Sequence, residues 1–208
     1  NLPFNEVLTT AKEKGFTSDS ESLLDIGGYD AAHKLSILST LAFGSKLDFN
    51  LNYIEGIANV KIEDINFAKK LGYKIKLISE TSIIKNEILN ITSPKLISID
   101  NPLSNVGDAL NAINIATDHL DNLFLEGQGA GGKATASSVL SDIFEISQSN
   151  NFNNLGFGTN YFKDYQKYNN ENIVSSYYLR IMTEDKPGVL ALITNNFNES
   201  DISVEKIL

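Results

Sequence analysis

From Tyr73 onward the hydrophobic pattern has a period of two. Tyr73-Lys-Ile-Lys-Leu-Ile-Ser79 and Glu87-Ile-Leu-Asn-Ile-Thr92 alternate, and Lys95-Leu-Ile-Ser-Ile-Asp100 does so more loosely. Alternation of this kind belongs to strands with one buried face. Ala112–Thr117 and Asn122–Glu126 read as a further hairpin around Asp118-His-Leu-Asp121. Strands in consecutive runs, with helices before and after them, predict an α+β fold rather than strict β-α-β alternation. The expected architecture is a mixed, largely antiparallel sheet with helices packed on one face.

The helices are readable from their stops. Leu2 to Gly15 reads as a short helix with Phe4, Val7, Leu8 and Ala11 on one face. Ile62 to Gly72 carries acids in its first turn, lysines in its last and a glycine at its end, the charge order that the helix dipole favours. Residues 16–24 are polar and read as a loop that delivers Asp25. Leu51–Gly56 is strand-like, and Gly127-Gln-Gly-Ala-Gly-Gly132 opens a helix running from Ala134 to about Ile146. Residues 148–172 lack a clear period. Beyond them come a strand (Tyr177–Thr183), a turn (Asp185-Lys-Pro-Gly188), a helix (Val189–Phe197) and a second strand (Ile202–Leu208).

The chemistry concentrates in Asp25-Ile-Gly-Gly-Tyr-Asp-Ala-Ala-His-Lys34, which leads into Leu-Ser-Ile-Leu-Ser-Thr-Leu-Ala-Phe-Gly44. Asp30 suits the N-cap of this helix, Leu35, Leu38, Leu41 and Ala42 recur at helical spacing, and Gly44 suits its end. Lys34 then lies one turn in, on the side of Asp30. A lysine near the positive end of a helix dipole is misplaced for stability. One reading is a capped helix whose acids and lysine are merely solvated. The other is a polar pocket where Lys34 donates or takes a proton, as a desolvated lysine can, while Asp25 and Asp30 hold a cationic substrate group or position a water. The glycine run 127–132 is either a flexible turn or the anion-favouring start of a helix. It does not follow a parallel strand, so it is no dinucleotide fingerprint by itself. His33 reads as a packing residue, His119 as exposed, and Tyr161, Tyr165 and Tyr168 as a docking stripe.

Composition removes other classes. A net charge of −9 opposes nucleic acid and anionic membranes as partners. No stretch reaches the roughly 18 apolar residues of a membrane span, and no signal peptide is visible. Zero cysteines exclude disulfides and thiolate chemistry, and two histidines argue against a His-rich metal site. A soluble cytoplasmic protein is the class that remains.

Taken in order, these segments resemble a known family. Asp25 to Leu38, Tyr53-Ile-Glu-Gly-Ile57, Ile62-Glu-Asp-Ile65 with Leu71-Gly-Tyr73, and Gly127-Gln-Gly-Ala-Gly-Gly-Lys-Ala-Thr-Ala-Ser-Ser138 are similar to the catalytic domain of homoserine dehydrogenase across roughly residues 4–147. Tyr177–Leu208, with Asp185-Lys-Pro-Gly-Val-Leu190, resembles the first β-α-β half of an ACT domain. The expected division is a catalytic and dimerisation domain (1–147), a linker (148–174) and a partial ACT unit (175–208).

The resemblance implies reversible NAD- or NADP-dependent hydride transfer between L-aspartate 4-semialdehyde and L-homoserine, in the biosynthesis of threonine, methionine and isoleucine. It makes Lys34 the proton donor, Asp25 an acid orienting lysine and water, Asp30 a substrate-binding carboxylate, and Gly15 and Gly131 cofactor-approaching glycines. The family's substrate-gripping glutamate finds no direct match in Gly15-Phe-Thr-Ser-Asp-Ser-Glu-Ser22, where Asp19 or Glu21 is expected to substitute. The family's N-terminal nucleotide-binding domain, with its segment for a monovalent cation, finds no counterpart here. The abrupt opening helix suggests a fragment that alone neither binds NAD(P) properly nor turns over. A homodimer or homotetramer and threonine as an effector at the ACT unit are further expectations. The rival reading is a non-catalytic amino-acid sensor in which the first domain is a scaffold.

Overall fold

The computed structural model describes residues 4–13, 17–108, 110–148 and 158–208. The chain divides into two compact units, Asn1–Ile173 and Val174–Leu208. In the first, three helices come in succession: α1 (Phe4–Glu13), α2 (Asp19–Gly27) and α3 (Tyr29–Phe43). A short strand β1 (Asn52–Ile54) and helix α4 (Ile62–Lys70) precede the long strands β2 (Tyr73–Ile84) and β3 (Glu87–Ser98). The hairpin β4 (Leu110–Ile115) and β5 (Leu123–Gln128) leads into α5 (Gly132–Gln148), and a two-residue strand β6 (Gln166–Lys167) follows. The α+β class holds.

β2 and β3 pair antiparallel along their whole length, from Tyr73 opposite Ser98 to Ile84 opposite Glu87. The sequence pattern divided β3 in two at Ser93-Pro94. It is one strand because β1, which pairs parallel with β3, ends opposite Thr92. From Ser93 onward that edge of β3 has no partner in β1, so the N–H that Pro94 lacks removes no bond to it.

Helix α2 corrects the polar-loop reading of residues 16–24. Ser18 and Asp19 are residue types that start helices, and the Ser22 N–H closes a helical bond on the Ser18 carbonyl at 2.9 Å. What looked like loop composition is the N-terminal signature of a helix continuing through Leu23, Leu24 and Asp25.

Helix α3 ends as expected, with Gly44 at φ 65° and its N–H on the Thr40 carbonyl. Its packing differs from the apolar stripe that the sequence suggested. The buried face is Ala32, Leu35, Ser36, Ser39 and Thr40, whereas Leu38 and Leu41 remain 36% and 44% exposed. Small side chains allow the helix to lie close to the sheet, and hydroxyls and amides then hydrogen-bond to one another, with Asn52 Oδ1 left without a partner among the described residues. Asn52 Nδ2 donates to Ser36 Oγ at 2.8 Å, and Thr81 donates to Asn90 Oδ1 at 2.6 Å. The Ser39 hydroxyl lies 3.2 Å from that of Thr81.

The stretch read as a linker is, from Gly158 to Ile173, fastened to the same unit. β6 pairs parallel with Glu87–Ile88 of β3, on the edge that β1 uses further along. The Lys163 N–H donates to the Gly44 carbonyl at 2.7 Å, and Lys46 pairs with Asp164 at 2.5 Å. Lys167 donates to the carbonyls of Asn50 and Asn52 at 3.0 and 2.8 Å. Its ammonium stands 3.8 Å from the Tyr53 ring centroid, a cation–π geometry, and the Tyr53 hydroxyl donates to the Tyr168 carbonyl at 2.7 Å. Helical content and pairing of this sort leave no regular hydrophobic period for the sequence to display.

The second unit holds the expected Lys186-Pro-Gly188 turn, with Gly188 at φ 92°, and helix α6 (Val189–Glu199). Neither Tyr177–Thr183 nor Ile202–Leu208 is assigned to a strand, so the two expected strands are corrected to segments without regular secondary structure. None of residues 174–208 is buried. About 35 residues lack the apolar surface for a core of their own.

Lys76 carries a pH signature. Burial, with the like charge of Lys74 second, holds the Lys76 amine below the ordinary lysine value of 10.5. Between that lowered value and 10.5 the unfolded chain binds more protons than the native one, so stability rises with pH across this window. Lys76→Met is expected to flatten that alkaline rise, read from urea unfolding at stepped pH. An unchanged slope would show that Lys76 is not its source.

Candidate functional site

The site is built on a kink between α2 and α3. Gly28 separates the helices at φ 78°, a left-handed conformation that side chains other than glycine adopt at a cost. Its N–H donates to the Asp25 carbonyl, and its own carbonyl accepts from the N–H of Ala32, a fully buried residue of α3. The loop after β1 presses against this kink. The Ile57 N–H donates to the Ile26 carbonyl at 2.8 Å, and a Cβ on Gly56 would meet that oxygen at 2.2 Å and the Gly27 Cα at 2.7 Å. Only glycine fits at position 56.

The kink turns Asp25, Asp30 and Lys34 into one cleft of about 430 Å³, a volume typical of small-molecule sites. Asp25 sits in the last turn of α2, where the helix dipole opposes a carboxylate. The Thr17 hydroxyl compensates, donating to Asp25 Oδ2 at 2.8 Å. Asp30 is not the N-cap that the sequence suggested. Gly28 occupies that position without a side-chain bond, and Asp30 is the second helical residue. Its carboxylate instead accepts from Lys34 Nζ at 2.5 Å.

Lys34 is thereby the sixth residue of α3, in the second turn, where the dipole penalty inferred from a first-turn lysine has largely faded. The Asp30 and Lys34 side chains are 44% and 60% exposed. Exposed ion pairs contribute about 0–1 kcal/mol, so this pair serves orientation more than stability. The carboxylate aims the ammonium into the cleft.

The far side of the cleft comes from Asp108 and Asn111 near the start of β4, which the sequence did not single out, and from Gly129 and Ala130 of the glycine run, which it did. The readable signal was register, since β4 and β5 pair antiparallel with Asn111 opposite Gly127. That pairing also means that the glycine run follows an antiparallel strand. Gly131, next to the lining Ala130, takes φ 104° and caps α5, its carbonyl accepting from Thr135 at 3.1 Å. A Cβ on Gly131 or Gly132 would meet nothing within 4 Å.

Gly15 lies outside the described residues. Asp19 and Glu21 fall within α2, but their side chains are outside the described set. His33 stacks on Phe49, ring centroids 4.3 Å apart, as a packing residue does, and His119 is exposed in the β4–β5 connection. Among the described residues no group of three or more His, Cys, Asp or Glu side chains is placed to hold a metal ion. Nor is any helix there long and apolar enough to cross a membrane.

Residues 1–144 match the family model for homoserine dehydrogenase. The chain belongs to the homoserine dehydrogenase family. It is 34% identical over 211 residues to the homoserine dehydrogenase of Pseudomonas aeruginosa, covering 99% of this chain and 48% of that protein. The chain thus spans about half the length of the curated relatives it matches. A crystal structure of homoserine dehydrogenase from Thiobacillus denitrificans superposes with a TM-score of 0.73 at 30% identity, over 99% of this chain and 48% of that one. A hyperthermophilic archaeal homoserine dehydrogenase mutant in complex with NADPH aligns at a TM-score of 0.53 and 28% identity, over 71% of this chain and 41% of that one. The family is one of oxidoreductases.

The Gly56 contact gives a direct test of this construction. Gly56→Ala is expected to cost about 1–3 kcal/mol of stability, because the added methyl meets backbone on the kink that carries Asp25 and Asp30. Chemical denaturation measures it, and a variant as stable as the parent would show that the loop does not brace the kink.

Proposed function

We propose that this chain is the substrate-holding part of a homoserine dehydrogenase, interconverting L-aspartate 4-semialdehyde and L-homoserine with NAD or NADP. The observation that carries the reading is the convergence of Asp25, Asp30 and Lys34 on one cleft, bordered by the glycine run, in a chain of this family.

The residues present fit one end of the cofactor. The approach at Gly131 and Gly132 is free of side chains and leads to the start of α5, which suits a polar group of the nicotinamide end. The adenosine and pyrophosphate body finds no parallel-strand glycine fingerprint among these residues, and Gly15 is proposed as a second approach point. When bound, the reduced nicotinamide supplies the hydride that reaches the aldehyde carbon. The monovalent cation that the family resemblance implies finds no group of three or more His, Cys, Asp or Glu side chains placed to hold it among the described residues.

The chain's own residues supply the proton and the positioning. Lys34 Nζ stands against the carbonyl oxygen of the semialdehyde and protonates it as negative charge develops there, giving the hydroxyl of homoserine. In the reverse direction neutral Lys34 takes that proton back. Asp30 holds Lys34 in place and offers its second oxygen to the substrate, while Asp25, held by Thr17, accepts from an ammonium group or orients a water. Asp19 and Glu21 are proposed as further acceptors for the ammonium.

The remaining proposals follow the same family. The protein acts in threonine, methionine and isoleucine biosynthesis in the cytoplasm and pairs with a second copy through its sheet domain. Residues 175–208 begin an ACT unit for an amino-acid effector such as threonine.

Lys34→Ala in the complete enzyme is expected to lower kcat by at least about a thousandfold, since proton transfer by a positioned group contributes about 10²–10⁴ and the ammonium also orients the oxygen. Circular dichroism and cofactor titration should be unchanged. Turnover within a few fold of the parent would sink the assignment of Lys34.

A further inference from the structure

The far side of the cleft offers a group that the proposed mechanism does not use. Asn111 lines the cleft with Asp25, Asp30 and Lys34, is exposed to it, and its carboxamide makes no hydrogen bond within the described residues. Its place is made by a glycine. A Cβ on Gly129 would lie 2.0 Å from Asn111 Nδ2 and 2.6 Å from Cγ, so any larger residue at 129 would push the amide aside.

The segment before Asn111 is braced. Lys74 Nζ donates to the Ser104 carbonyl at 3.0 Å and Lys76 Nζ to the Val106 carbonyl at 2.5 Å. The Ser104 hydroxyl, on a residue only 1% exposed, donates to the Ile99 carbonyl at 3.1 Å. Asn111 is therefore presented from a fixed loop and the start of a paired strand, not from a free tip.

Charge in the cleft says which substrate group Asn111 meets. An α-amino acid brings an ammonium and a carboxylate besides its reacting oxygen. Asp25, Asp30 and Asp108 are acceptors when ionised and suit the ammonium. Lys34, the cation among the described lining residues, is taken by Asp30 and the reacting oxygen, and the Thr17 hydroxyl already donates to Asp25. The α-carboxylate needs a donor that is still free, and the Asn111 amide is a neutral side chain that supplies one.

Resting on the proposed function, we infer that Asn111, seated on Gly129, is a substrate-binding residue whose Nδ2 donates to the α-carboxylate of the amino-acid substrate. Asn111 sets affinity and selects for the carboxylate. It does not move the proton.

The test uses the complete enzyme in the homoserine-oxidising direction, with homoserine and homoserine amide as paired substrates. Asn111→Ala is expected to raise KM for homoserine about ten- to a hundredfold, the loss of one hydrogen bond to a charged group, with kcat changed far less. The parent's preference for the acid over the amide should shrink by the same factor. Asn111→Asp keeps the shape, loses the donor and sets a like charge against the carboxylate, so it gives a larger loss in the same direction if the alanine variant folds poorly. Gly129→Ala should reproduce the defect by displacing the amide, and the double variant should be no worse than either single one.

Equal losses with acid and amide, or additive effects of the two substitutions, would overturn the inference. Lys34→Ala, run beside them, separates the two levels of the argument. If it still turns over, the reading of the reaction fails. If it is inactive while Asn111→Ala binds homoserine normally, only the role of Asn111 fails.

Discussion

One backbone hydrogen bond, from the Ile57 N–H to the Ile26 carbonyl, ties the chemistry of this protein to its sheet. It joins the loop after β1 to the α2–α3 kink. β1 is itself in register with the centre of β3, Asn52 opposite Asn90. The kink places an acid at the end of one helix and an acid–lysine pair at the start of the next. Asp25 and Asp30 are five residues apart in sequence and would sit about 140° apart around one continuous helix. Breaking the helix at Gly28 is what allows both to reach the same cleft, and glycine at 56 allows the loop to hold the break closed.

Around that joint the protein uses polar contact where a larger domain would use apolar volume. The α3–sheet interface is made by Ser36, Ser39 and Thr40 against Asn52, Thr81 and Asn90. Such contacts contribute about 1 kcal/mol each and cost more when one partner is lost. They therefore discriminate between correct and shifted registers more sharply than they add stability. For a helix carrying Lys34 near one end and Gly44 at the other, register decides where the ammonium points. The Gly158–Ile173 strap reinforces both ends of this arrangement, at Gly44 through Lys163 and at β1 through Lys167 and Tyr53.

What the sequence displayed, and what it hid, follows from these interactions. Elements with a periodic pattern or clear end signals in the sequence were readable: α4 between its acids and Gly72, the alternation of β2, and the β4–β5 hairpin. The Asp25–Lys34 stretch was readable as chemistry because glycines, acids and a lysine are dense there. Its geometry was not, since Asp30 looks like a cap and only the positive φ of Gly28 moves the helix start back. Helix α2 was hidden because serine and aspartate mark both loops and helix starts. The strap was hidden because its contacts are carbonyls, an ion pair, Lys167 and one tyrosine ring, which leave no hydrophobic period. Asn111 was hidden for a related reason. Its meaning depends on a glycine eighteen residues away that pairing brings alongside.

Under the proposed function, the open cleft becomes effective only once it is covered. Its described charged side chains are three carboxylates and one lysine, and the lysine and one acid are about half exposed. In water such an array has little power over a proton, because solvent weakens each interaction. Covering the mouth with a low-dielectric surface strengthens Lys34's interaction with a developing alkoxide and with Asp30 together. On that proposal the acids favour a molecule with its own ammonium, and Asn111 as a neutral donor receives its carboxylate without neutralising Asp30. An amino acid with an oxygen on its side chain meets all three requirements. A simple aldehyde meets only one.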